Sequence, residues 1–212
     1  MIEARPPYSH THMADFDICP KRYLHKHVLR DCPPEPPSEA LLEGRRVHEA
    51  IASYLAGRPD APEPASKLPT RFRGTSPDQG EVLVERKLAI DGHGRPVSWQ
   101  GSYYRGTIDF AIVKPPVALL VDWKTGKRRE NPAELEFHAL LISCHWPGVE
   151  TVSAQYAWLR DECFGQEFRI PVKRLLEQHR KKVEAMQAST FEARPGPLCG
   201  WCPVKVCSHN KT

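Results

Sequence analysis

Apolar positions along this chain switch between helical and strand spacing, and the changeovers outline its elements. Thr11 opens a predicted helix with Phe16, Cys19, Tyr23 and His27 at three- and four-residue steps. Pro33, Pro34, Pro36 and Pro37 break the pattern, and Ser38 caps a second helix through Leu41, Leu42, Val47, His48, Ile51 and Leu55, ending near Gly57. Prolines 59, 62, 64, 69 and 77 predict a long loop over residues 58–80. From residue 81 the spacing shortens: Val82, Val84 and Leu88 suggest a strand, Asp91-Gly92-His93-Gly94 a hairpin turn, and residues 96–100 a second strand. A third runs from Tyr104 to Val113 and is broken by Pro115-Pro116. Val117 to Val121 is a continuous apolar run ending at Asp122, as expected of a central strand buried on both faces. Pro132 introduces a helix bearing Leu135, His138, Ala139, Leu141 and Ile142, which ends before Pro147. Residues 151–160 follow as a strand and 165–170 as an edge strand. Val172, Leu175, Leu176, His179, Val183 and Met186 mark a final amphipathic helix. This order predicts an α/β (α+β) fold, a mixed β-sheet core flanked by helices.

With 212 residues, 40% of them hydrophobic, the chain can bury a real core. The expected organisation is a single domain over 1–212, with a core at 38–190 and a cysteine-bearing subregion formed by 11–30 and 195–209. No apolar run approaches the ~20 residues of a membrane span. The first thirty residues lack the apolar stretch of a signal peptide, so a cytoplasmic protein with no membrane partner is expected. The formal net charge of +4 permits a polyanionic partner without requiring one. Arg45-Arg46, Lys127-Arg128-Arg129 and Arg180-Lys181-Lys182 are local basic clusters, each of which also suits a solvated face.

Candidate chemistry gathers around residues 109–124. Asp109 lies in Arg-Gly-Thr-Ile-Asp-Phe-Ala-Ile, and Asp122 and Lys124 lie on the next predicted strand, in Val-Asp-Trp-Lys-Thr-Gly-Lys. Two carboxylates on adjacent strands can meet at one end of a sheet and bind Mg²⁺ or Mn²⁺ through hard oxygen ligands. Lys124 is two residues from Asp122, so both side chains point to the same face. An ammonium there can steer a water or stabilise charge on a phosphate, the requirements of phosphodiester hydrolysis. Asp-x-Lys alone is common at exposed strand ends. His48 also suits a core position, and Glu85, mid-strand in Val-Glu-Arg-Lys-Leu, also suits a surface one.

Seven cysteines is an odd count, unlike a secreted disulfide framework. Cys199, Cys202 and Cys207 cluster in Cys-Gly-Trp-Cys-Pro-Val-Lys-Val-Cys, one ligand short of a four-coordinate site, and Cys19 of Cys-Pro-Lys-Arg-Tyr can supply the fourth. Four thiolates serve zinc or a cubane iron–sulfur cluster equally, so spacing leaves both open. Cys32, Cys144 and Cys163 are spares that read as buried structural thiols.

The series Gly44…His48, Glu85, Gly106-x-x-Asp109 and Val-Asp-Trp-Lys-Thr-Gly resembles the RecB-like branch of the PD-(D/E)xK nucleases, over about residues 9–209. The cysteine arrangement is similar to the iron–sulfur members of that branch, the AddB-type helicase-nucleases and the CRISPR-associated "Cas four" exonucleases. This resemblance implies a restriction-endonuclease-like core whose N- and C-terminal cysteines (Cys19, Cys199, Cys202, Cys207) clamp a [4Fe–4S] cluster. It implies that His48, Asp109 and Asp122, with the Trp123 carbonyl, hold Mg²⁺ or Mn²⁺, that Lys124 acts on the water or the scissile phosphate, and that Glu85 is a supporting acid. The family commonly carries Gln-x-x-x-Tyr on the helix after the lysine. Here Glu134 and His138 stand at the matching places, still one helical turn apart.

The expected function is a metal-dependent deoxyribonuclease, an exonuclease on single-stranded or frayed DNA ends. Trp99, Tyr103 and Tyr104 are candidates for stacking on unpaired bases, and core burial is the competing role for each. Alternatives are a DNA-binding scaffold that docks to a helicase or a CRISPR-adaptation protein without turnover, and a zinc-ribbon nucleic-acid adaptor.

Overall fold

The computed structural model describes residues 7–34, 36–60 and 64–210. Its centre is a six-stranded mixed sheet. Strands β1 (Glu81–Ile90), β2 (Tyr104–Lys114) and β3 (Val117–Lys124) form an antiparallel meander. β4 (Thr151–Trp158) then pairs parallel to β3. A parallel neighbour demands a crossover, and α4 (Ala133–His145) provides it. β5 (Cys163–Phe164) and β6 (Phe168–Pro171) both pair antiparallel with β4, forming an interrupted edge.

Helices cover both faces. One core lies where the sheet meets α4 and α5 (Leu175–Gln187), through Leu88, Ile108, Leu120, Leu140 and Val183. The second lies under α3 (Glu39–Leu55), through Ile51, Phe110, Val121 and Trp123. Burial on both faces explains why Val117–Val121 reads as unbroken apolar sequence. α3 begins as expected, with Ser38 Oγ accepting from the Leu41 amide, but Leu41 and Leu42 on its first turn remain exposed.

β1 and β2 change face midway. Leu83 and Leu88 are five residues apart yet reach the same core, as do Ile108 and Ala111, three apart. Odd separations point to opposite faces in a regular strand. The switch falls at Glu85, whose φ of +46° lies in the left-handed region, and at Asp109, where the ladder skips from the Val84–Phe110 pair to Arg86–Ile108. β3 keeps its alternation, so Asp122 and Lys124 share the α4 side while Trp123 faces α3.

Several expectations need correction. The first predicted helix is three pieces: α1 (His10–Ile18), α2 (Pro20–Tyr23) and a π-helical turn at Leu24–Leu29. Ser9, not Thr11, is its N-cap. Cys19 is extended between the first two, because Pro20 has no amide hydrogen and its ring excludes a continuing helix. Buried Asp15 fixes the bend by accepting from Arg22 Nε (2.9 Å), Lys26 Nζ (2.8 Å) and His27 Nε2 (2.6 Å). Residues 96–100 form no strand beyond an isolated Ile90–Pro96 bridge, since Pro96 cannot donate to a ladder. The 58–80 segment carries 3₁₀ turns at Pro69–Phe72 and Pro77–Gln79 and lends Leu68 and Phe72 to the second core. β5 was not foreseen, and Cys32, Cys144 and Cys163 are half-buried rather than buried.

The two ends of the fold meet. Asp17 pairs with Lys182 and its carbonyl accepts from Arg194, Tyr23 stacks on Phe191 with ring centroids 6.2 Å apart, and the Gln187 amide donates to Tyr8 and Tyr103 hydroxyls. Among the described residues no helix is long and apolar enough to cross a membrane.

Candidate active site

The residues singled out in sequence converge at one end of the sheet. Asp109, Asp122, Lys124, Glu134, His138 and His48 line one cavity of about 380 Å³, with His10 and His12 of α1 as further walls. His48 also borders a second cavity of about 740 Å³, lined by Glu85, Arg45, Arg58 and Thr125.

On the α3 side, His48 Nε2 lies 3.0 Å from the Trp123 carbonyl and donates to it. Its Nδ1 then faces Glu85 Oε1 at 3.3 Å and Asp109 Oδ1 at 3.5 Å. A neutral imidazole donating through Nε2 would turn a lone pair on two carboxylates, so the spot calls for a positive charge. Burial alone would disfavour the imidazolium, but the nearby carboxylates of Asp109 and Glu85 outweigh it and raise the His48 pKa to about 10. The other Asp109 oxygen accepts from the Trp123 amide at 2.9 Å, which locks β2 to β3 at this point. Glu85 Oε1 is buried without a hydrogen-bond partner among the described residues.

On the α4 side, the Lys124 ammonium sits between Asp122 Oδ2 (2.6 Å) and Glu134 Oε2 (2.7 Å). The first contact is a close ion pair lacking hydrogen-bond alignment, so Asp122 Oδ2 counts among the buried unpartnered atoms. Burial and then the Asp109 charge raise the Asp122 pKa well above the usual carboxylate range, against the pull of Lys124. Burial would lower Lys124, but Asp122 and Glu134 overcome it and hold the side chain protonated. His138, one turn after Glu134 on α4, is buried, and burial lowers its pKa. Its Nδ1 lies 3.7 Å from Asp122 Oδ1. Gly106 makes room for this helix: a Cβ there would stand 3.0 Å from Leu141 Cδ1 and 3.4 Å from His138 Cδ2.

The donors therefore fall into two sets, His48/Glu85/Asp109 and Asp122/Glu134/His138, each with ligand atoms within 4.8 Å of one another. Two carboxylates and an imidazole with unpartnered buried atoms suit a divalent cation. The expected grouping of His48, Asp109, Asp122 and the Trp123 carbonyl thus spans both sets. His10, whose Nδ1 is 3.7 Å from Glu134 Oε1, escaped sequence reading because α1 carries no motif and nothing in its pattern points to the sheet end.

The basic clusters are mostly engaged elsewhere: Arg46 pairs with Glu43, Arg128 with Glu130, Lys181 with Glu177, and Arg180 donates to the Gly92 carbonyl. Arg45 faces the second cavity. Of the aromatics, Tyr104 is fully buried and Tyr103 packs between Tyr8 and Tyr104. Trp99 lines the first cavity, with Arg105 and Lys87 over its ring at 4.7 and 5.5 Å.

All four selected cysteines line a separate cavity of about 330 Å³, walled by Ile18, Leu198 and Val204. The Arg194 amide donates to Cys19 Sγ and the Gly196 amide to Cys199 Sγ, both at 3.3 Å. Among the described residues no three of the sulfurs lie within 4.8 Å of one another.

A helix-flanked mixed sheet with carboxylates and a lysine at the strand ends is the frame of a phosphodiester-cleaving nuclease. The PD-(D/E)XK nuclease superfamily matches residues 7–207, and the chain belongs to it. The solved structure titled "Crystal structure of SSO0001" superposes with a TM-score of 0.54, covering 100% of this chain and 91% of that one, at 14% identity, a likeness of fold. No curated protein matches the sequence.

Proposed function

We propose that this chain is a metal-dependent deoxyribonuclease acting as an exonuclease on single-stranded or frayed DNA ends. The observation that carries the reading is Lys124 held between Asp122 and Glu134 in the cavity that also receives Asp109. His48, Glu85, Asp109 and Asp122 would hold Mg²⁺ or Mn²⁺, which when bound supplies Lewis-acid activation of water and charge neutralisation. The Trp123 carbonyl accepts from His48 and has a second lone pair, with which it would serve as a further ligand. Held protonated by Asp122 and Glu134, Lys124 can donate to a phosphate oxygen or to a water. Trp99, beside Arg105 and Lys87, offers a ring and two cations to an unpaired nucleotide at the cavity mouth.

Cys19, Cys199, Cys202 and Cys207 would bind a [4Fe–4S] cluster with a structural role, as in the iron–sulfur branch of the superfamily. The cavity that all four cysteines line supports a bound inorganic group at this place. The resemblance of the cysteine pattern is what supports a helicase or a CRISPR-adaptation protein as a partner.

The test is cleavage of end-labelled single-stranded and duplex DNA with Mg²⁺ or Mn²⁺, then with EDTA, beside Lys124→Ala and Asp122→Ala. Metal-dependent shortening by the wild type, lost in both variants, is expected. Cleavage persisting in both variants refutes the site. Binding without cleavage by the wild type favours the scaffold reading.

A further inference from the structure

We infer that Asp122, Glu134 and His138 form a second divalent-cation site, which shares Asp122 with the site of His48, Glu85 and Asp109 and in the cation-free protein is filled by the Lys124 ammonium. Four observations carry it. The ligand atoms of the three side chains lie within 4.8 Å of one another. His138 is 6% exposed, and its Nδ1 has no hydrogen-bond partner among the described residues although it lies 3.7 Å from Asp122 Oδ1. Asp122 is 2% exposed, and its Oδ2 meets Lys124 only as an ion pair at 2.6 Å. Finally, Glu134 and His138 stand one turn apart at the start of α4, so a rigid element presents both at once.

The chemistry follows from the residue types. Two carboxylates and one imidazole favour a borderline cation such as Mn²⁺ over Mg²⁺, which prefers an all-oxygen octahedron. Lys124 shows where positive charge is wanted: it bridges Asp122 and Glu134 at 2.6 and 2.7 Å. An arriving cation competes with this ammonium for the same oxygens, so occupancy of the site and the position of Lys124 are linked.

The experiment is Mn²⁺ binding to the full chain without DNA, followed by electron paramagnetic resonance and by calorimetric stoichiometry. It reads binding alone, so its failure is distinguishable from failure of the nuclease reading, which the cleavage assay tests. Two Mn²⁺ per chain are expected. His138→Gln loses one of them together with one imidazole-nitrogen coupling, while Asp109→Asn loses the other and keeps the His138 coupling. Because a core substitution can unfold the chain, Lys124→Met provides the second arm. Removing the competing ammonium strengthens the weaker Mn²⁺ affinity by tenfold or more, in a chain whose thermal melt stays cooperative. One Mn²⁺ per chain in the wild type and in Lys124→Met overturns the proposal, as does a second Mn²⁺ that His138→Gln and Glu134→Gln both leave in place.

Discussion

Replacing Glu85 tests whether its backbone, and not only its carboxylate, is specialised for the site. In an ordinary strand glycine is less stable than alanine by about 0.5–1 kcal/mol, because it loses more backbone freedom on folding. Glu85 has φ +46° in mid-strand, where any residue with a Cβ carries roughly 1–2 kcal/mol of strain. Glu85→Ala removes the carboxylate and keeps the strain, whereas Glu85→Gly removes both. Comparing the two cancels the lost His48 contact, and the difference inverts: Glu85→Gly is expected to be the more stable by about 1 kcal/mol. For a chain of this size that is a melting temperature about 2–4 °C higher. In urea it is a midpoint shift of about 0.3–0.5 M at a slope of about 2–3 kcal/mol/M. Both variants should lose DNA cleavage, since neither supplies the oxygen beside His48. An alanine variant more stable than the glycine variant would show that the position is unstrained and the face switch has another origin.

Further outcomes are open to direct measurement. The hydrogen bonds and charges of His27, Lys26 and Arg22 overcome burial and hold Asp15 below its usual pKa of 3.8. Its contribution is therefore complete above about pH 4–5 and is lost as pH falls toward and below 2. By linkage, Asp15→Asn should flatten the acid side of a melting-temperature-versus-pH curve; parallel curves would refute the assignment. Cys199→Ala should abolish absorbance in the charge-transfer region near ~400 nm and lower stability, and stoichiometric zinc without iron in anaerobically prepared protein would remove the cluster. Gly106→Ala should cost about 1–3 kcal/mol, because Leu141 and His138 must shift to admit the methyl group. An unchanged denaturant midpoint would contradict the crowding.

The strands that build the site were legible because their hydrophobic runs are long and their interruptions chemical. Val117–Val121 followed by Asp122 marks a central strand and its functional end, and the two-residue step to Lys124 puts both side chains on the α4 side. Glu85 was harder to read. It stands between the apolar run Val82–Val84 and the charged pair Arg86-Lys87, and the left-handed backbone at this point depends on pairing with β2, which sequence spacing does not encode. The N-terminal helix was overextended because Phe16, Cys19 and Tyr23 keep helical spacing across Pro20, so periodicity concealed a bend that the proline and the Asp15 cluster impose. His10 joins the site only through the packing of α1 on α4, a long-range contact with no local signature.

The stitching of the first helices to the last, through Asp17 with Lys182 and Tyr23 with Phe191, sets an order on biosynthesis. Ribosomes add roughly 5–20 residues per second, so Asp17 waits about 8–33 s for its partner to be translated. Until then the nascent amino-terminal segment has its own Asp15 cluster to hold the bend but no closing surface to rest on. Final closure of the fold, and with it completion of the cysteine-lined chamber, is deferred until the last helix and the Cys199–Cys207 segment have been made.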